Sequence, residues 1–188
     1  SITSNSSKVS GTFPIESAVS SVVDGTSSVA AVKVDSVTIS ATARNVDIGE
    51  TDYEISKFKI AESSSKEDLE IRSLTIFNNG SVADGDLKNF KLVDQSGNVL
   101  STVVDQKNKL VKFDLSKSPY KLTKGSTRNF SVKVTVVNGA TRTAQLLVQN
   151  DFDLDAVGIS TKAAILPTAD SGGTDTSFPI GDPAVGAG

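Results

Sequence analysis

Across 188 residues the chain has no histidine, no cysteine, no methionine and no tryptophan. Histidine is the side chain whose ordinary pKa lies near neutrality and is the commonest metal ligand, so its absence removes most general-base and transition-metal chemistry. The missing cysteine removes thiol nucleophiles, zinc–thiolate sites and disulfides. Aromatic residues make up only 5%, too few both to fill a core and to furnish the stacking platforms that sugar-binding sites favour. Charge of one sign is also scarce: 19 basic against 22 acidic residues leave a net charge of −3, without the clustered basic surface that nucleic acid requires. No apolar run approaches the roughly 20 residues that span a bilayer, and no charged-then-apolar leader opens the chain. Residue 1 is Ser, and the chain is expected to be a mature secreted product or a fragment of something longer.

What is present is a series of short apolar alternations broken by Gly, Asn, Asp and Ser. Val32 and Val34, then Val37, Ile39 and Ala41, alternate with polar residues but slip phase at Asp35–Ser36. A one-residue slip turns every later side chain to the opposite face, so a bulge or a strand end is expected there. The same slip occurs in 53–60 (Tyr53, Ile55, Phe58, Ile60) and in 69–77 (Leu69, Ile71, Leu74, Ile76). Asn78-Asn79-Gly80-Ser81 reads as a turn through residues that tolerate positive φ. Gln95-Ser96-Gly97-Asn98 reads as a hairpin turn from Phe90–Val93 into Val99–Val104. Val111, Phe113 and Leu115 give another strand, and Lys124-Gly125-Ser126 turns the chain into the clearest one, Phe130, Val132, Val134 and Val136. Asn138-Gly139 ends it, Ala144, Leu146 and Val148 form the next, and 157–165 is the last candidate. The segment 16–31, rich in Ser, Thr and Val, reads as a strand or an extended crossing rather than a helix. Seven or more short strands at spacings of about 10 to 15 residues, with no helical period, predict an all-β fold: an antiparallel, immunoglobulin-like β-sandwich with extended polar termini. Its expected divisions are an N-terminal extended segment over 1–30, the sandwich over 31–166 and a C-terminal extended segment over 167–188.

One internal match stands out. Gly11-Thr12-Phe13-Pro14-Ile15-Glu16-Ser17-Ala18-Val19 parallels Thr176-Ser177-Phe178-Pro179-Ile180-Gly181-Asp182-Pro183-Ala184-Val185, with one inserted residue. Either the chain holds one domain-sized repeat plus the opening of the next, or one copy's tail meets another copy as its own head would, or two proline-stiffened edge segments coincide.

From Lys57 to Ala164 the runs KFKIAESSSKEDLEIRSLTIFNNGS, DLKNFKLVDQSGNVL, KLVKFDL, LTKGSTRNFSVKVTVV and QNDFDLDAVGI follow a fixed order: strand, NNG turn, short hairpin, KG turn, alternating strand, acidic stretch. This order resembles the β-sandwich repeats of large bacterial and archaeal cell-surface proteins, including S-layer-type proteins of small-genome bacteria. The NNGS turn after an Ile-rich strand is also similar to TasA-type secreted fibre subunits. The first resemblance implies an extracellular structural role in a lattice or fibre and carries no active site with it. The second implies strand exchange between neighbours through free termini, for which disordered linkers are the plainer alternative.

Few constellations carry chemistry. Asp151, Asp153 and Asp155 form a D-x-D-x-D run that would hold calcium if the backbone looped them together, or would be a solvated strand edge if it did not. Asp84 and Asp86 are a second, poorer pair. No carboxylate pair is singled out for glycoside hydrolysis, and no Ser-x-x-Lys signature precedes a helix. Asn5, Asn79 and Asn129 open N-x-S/T sequons, and Lys57 or Lys133 is conceivable as an isopeptide donor, although both alternate outward from their strands. The chain is therefore expected to be noncatalytic, extracellular and at the cell surface. Its expected partners are copies of itself, with no nucleic acid and no membrane span. Phe13, Pro14, Ile15, Phe178, Pro179 and Ile180 are its expected assembly residues. The alternative is a calcium-dependent ligand-binding or adhesin module.

Overall fold

The computed structural model describes residues 29–37, 39, 44–169, 178–179 and 185–187. Its strands, in chain order, are β1 (Val32–Ser36), β2 (Asn45–Val46), β3 (Tyr53–Glu62), β4 (Leu69–Asn78), β5 (Leu87–Asp94), β6 (Val99–Asp105), β7 (Leu110–Asp114) and β8 (Tyr120–Leu122). They continue with β9 (Thr127–Val136), β10 (Thr143–Ala144), β11 (Leu146–Val148), β12 (Leu154–Gly158), β13 (Ala164–Ile165), β14 (Pro167–Ala169), β15 (Phe178–Pro179) and β16 (Val185–Ala187). The chain is all-β, with two principal sheets that share one core, as in a β-sandwich.

One sheet has the order β14-β1-β3-β9-β5-β6. The other has the order β13-β12-β4-β11-β15, with β7 and β8 also paired to β4, and a small third sheet runs β10-β16-β2. Alternation explains the layering. Phe130, Val132, Val134 and Val136 of β9 are buried on one face, and Leu69, Ile71, Leu74 and Ile76 of β4 answer them from the opposite sheet in the same cluster. At the centre Phe58 stacks on Phe130 with ring centroids 5.5 Å apart, and Tyr120 meets Phe130 edge-on at 5.0 Å, an arrangement aromatic quadrupoles favour.

The phase slips resolve physically. In β3 the register against β9 shifts between Glu54 and Ser56, so Ile55 and Ser56 are both buried. In β4 the pairing passes from Ser73↔Asp155 to Ile71↔Ala156, which leaves Arg72 as the extra residue of a bulge. The slip at Asp35–Ser36 is a strand end. The 94–98 hairpin turns through Gly97 at φ +87°, a conformation glycine adopts without strain.

Other expectations change. The pairing is not wholly antiparallel: β1 runs parallel to β14, and β2 parallel to β16. Parallel neighbours need a long crossover, and more than 100 residues separate the members of each pair in sequence. Residues 157–165 are not one strand but the end of β12, a turn, and β13 folded back on it. At 78–81 no residue takes positive φ. Gly80 is needed there because a Cβ would run into the Thr143 carbonyl. Asn78 braces the turn, accepting from Gly80 N at 3.0 Å and donating through Nδ2 to Gln106 Oε1 at 3.1 Å.

Candidate functional site

Several acidic side chains are committed to the protein's own backbone, three of them, Glu62, Glu67 and Asp86, while buried. Glu62, at the end of β3, is buried. It accepts from Ser65 N at 2.8 Å, Gly125 N at 2.6 Å and the Ser64 hydroxyl at 2.5 Å. Burial pushes its carboxyl up, and the bonds from Ser64, Gly125 and Ser65 outweigh that and hold it below the ordinary range. Glu67 repeats the device, clasping Ser160 N at 2.8 Å and Thr161 through both N (3.0 Å) and Oγ1 (2.6 Å). Its carboxyl too is raised by burial and lowered further by those bonds, to a net depression. Asp84 takes Asn108 N and Lys109 N, and Asp68 takes Lys124 N, each held below its usual value by those backbone donors. Asp86 joins Ala83 N at 2.7 Å to the Arg142 guanidinium at 2.6 Å. These groups tie loops that are distant in sequence, accepting from the protein's own donors.

A concavity of about 270 Å³ lies on the outer face of the six-stranded sheet. Glu54, Lys57, Ser131 and Lys133 line it beside the 94–98 hairpin. Ser131 Oγ donates to Glu54 Oε2 at 2.6 Å, and Lys133 and Lys57 flank the pair across β3 and β9. A hydroxyl bound to a carboxylate between two ammonium groups is a shallow polar surface on flat strands. Both lysines face outward, as expected from alternation.

The acidic run is split by local structure. Asp151–Asp153 is a single 3-10 turn, and Asp155 stands on β12 opposite Ser73. Asp153 Oδ2 accepts from Asn150 N at 2.9 Å and Nδ2 at 3.2 Å, closing a capping box. Neither a loop around an ion nor a uniform strand face describes this geometry. Among the described residues no group of three or more acidic side chains converges. Asp84 and Asp86 serve separate loops.

Of the expected assembly residues, Phe13, Pro14, Ile15 and Ile180 lie outside the described residues, as does the first sequon at Asn5. The backbone of Phe178–Pro179 is placed: it pairs antiparallel with β11 of the same chain, Val148↔Phe178 and Leu147↔Pro179. Among the described residues, four of the seven exposed large apolar side chains lie at two other sheet margins. Val99 and Val104 lie on edge strand β6, with Val104 67% exposed, while Phe152 (68%) and Leu166 (60%) flank edge strand β13. With Leu154, Ala156 and Ile165 the last two line an apolar hollow of about 180 Å³.

Alternation alone did not find the braces, because a buried Glu and a solvated Glu look alike in one sequence. The signal available was the run of small donors after the acid, Glu62-Ser63-Ser64-Ser65 and Asp94-Gln95-Ser96, typical of side-chain-to-backbone turns. Among the described residues no helix is long and apolar enough to cross a membrane. Comparison of the chain with protein-family models, curated proteins and solved structures finds no match in any of the three.

Proposed function

We propose that this chain is a noncatalytic, extracellular structural subunit or repeat, an immunoglobulin-like β-sandwich that associates with copies of itself in a surface layer or filament. The observation that carries this reading is the pair of sheet edges left open among the described residues, β6 and β13, dressed with exposed valine, leucine and phenylalanine. Exposed edges present unpaired backbone groups, and proteins that stay apart usually guard them with charge or proline. Here the only charged residue in β6 is Asp105, and β13 has none. Apolar burial at about 25 cal/mol per Å² supplies the adhesion. The inward commitment of Glu62, Glu67 and Asp86 supports the noncatalytic half: acids that could move protons are holding loops.

The test is assembly of the purified full chain, by negative-stain microscopy and sedimentation, against Val104→Lys and Leu166→Lys. Ordered polymers, or a mass that climbs with concentration and falls back in the lysine variants, support the reading. A monomer at every concentration overturns it.

A further inference from the structure

We propose that the sheet built on β4 continues from one copy of this chain into the next, the β7 margin of one molecule lying along the β13 margin of its neighbour. The proposal rests on the self-association reading and names the two surfaces that meet. β4 is flanked on one side by β12, Ser73↔Asp155 and Leu74↔Leu154, and on the other by β7, Ser73↔Asp114 and Leu74↔Phe113. β13 pairs with the far side of β12 and forms that margin, and β7 forms the opposite one. Among the described residues neither has a second strand partner, so each offers a row of backbone donors and acceptors to another strand.

Charge decides which margins meet. Residues 106–121, which contain β7 and β8, hold Lys107, Lys109, Lys112, Lys117 and Lys121 against the single Asp114. Residues 150–166, which contain β12 and β13, hold Asp151, Asp153 and Asp155 against the single Lys162. Unlike the acids that clasp backbone, Asp151 and Asp155 accept no hydrogen bond and touch no cation among the described residues, and the exposed Lys107 and Lys112 touch no carboxylate. Lysine on an edge strand ordinarily guards it, and this guard admits one kind of partner. A β7 margin against another β7, or β13 against another β13, sets like charges opposite one another, whereas the mixed pairing sets them unlike. Apolar contact follows the same pairing: Leu110 of β7 is exposed, and Phe152 and Leu166 edge the hollow beside β13. Leu110 and Lys112 stand opposite Phe77 and Thr75, on the sheet face that carries Asp155 opposite Ser73. Because the two margins lie on opposite sides of β4, the contact is heterologous and propagates instead of closing on itself.

The chain has no cysteine, so introduced thiols report the contact directly. Full-length Leu110→Cys and Leu166→Cys proteins, mixed and treated with a short bismaleimide, should give a covalent heterodimer joined through those two positions by peptide mass mapping. Neither protein alone should dimerise above an Asn98→Cys control, which sits in the 94–98 hairpin turn, and a chain carrying both cysteines should give a ladder of covalent oligomers. Adding Lys112→Glu to the Leu110→Cys protein, or Asp155→Lys to the Leu166→Cys protein, should lower the heterodimer yield about fivefold, as for loss of an exposed ion pair. Both reversals together should restore it. A yield equal to the Asn98→Cys control, homodimers of either single variant as abundant as the heterodimer, or a yield indifferent to the charge reversals overturns the continued sheet. If the unaltered chain still polymerises in that case, self-association stands and only its route is wrong. A chain that neither polymerises nor cross-links removes both.

Discussion

Residues 53–136 and residues 143–187 build strands in two different ways. In the first stretch β3, β4 and β9 run ten residues each and β5 runs eight, every one alternating buried and outward side chains. In the second no strand exceeds five residues and most have two or three. Long strands hold by a shared apolar face, whereas short ones each add only a few buried side chains, such as Leu146, Val148 and Leu154, and are tied in by point contacts as well: Glu67 clasping 160–161, Asp86 meeting Arg142, Asn78 accepting from Gln145 N at 3.3 Å. The lesson is a division of labour. One stretch supplies the long strands of the body, and the other adds short strands around it.

Breaking the body should cost most. Phe130→Ala removes the ring that both Phe58 and Tyr120 pack against and should cost about 3–5 kcal/mol in urea unfolding. Glu67→Ala should cost about 1–3 kcal/mol, since it strands Ser160 N and Thr161 N inside a closed loop. Hydrogen exchange sharpens the contrast: protection should fall across 154–165 and hold across 127–136. Acid should act on the same braces. Glu62, Glu67, Asp68, Asp84, Asp94 and Asp114 are all held below their ordinary values, against unfolded values of about 3.9 for Asp and 4.3 for Glu. The unfolded chain therefore binds more protons on acidification. The stability these groups contribute is complete above about pH 5 and lost as pH falls through the depressed folded values. Without histidine, melting temperature should stay flat between about pH 6 and pH 8. Lys91→Ala, breaking the 2.6 Å contact with half-exposed Asp52, should cost about 0–1 kcal/mol by the same unfolding measurement.

The same division explains how much could be read in advance. Within 53–136 the sequence pattern located β3, β4, β7, β9 and the 94–98 hairpin, and the slips at 55–56 and 72–73 mark bulges, because long strands print their buried face on the chain. From 143 onward the alternation of Ala144, Leu146 and Val148 is legible, and little else is. Gln145 separates β10 from β11, Asp151–Asp153 closes into a turn through Asn150, and β14 finds β1 in parallel across the whole domain. Pairings of two or three residues are decided by partners distant in sequence, and no local pattern encodes them. At the site, the outward placement of Lys57 and Lys133 was legible, while the inward turn of Glu62 and Glu67 was not.

The most direct test is sedimentation velocity of the purified full chain across a wide concentration range, with the Val104→Lys, Leu166→Lys double variant alongside. A weight-average mass that rises from the 19.5 kDa monomer into a series of larger species for the unaltered chain, and stays at 19.5 kDa for the variant, is the expected result. A single 19.5 kDa boundary for both proteins at every concentration would contradict self-association through the sandwich edges.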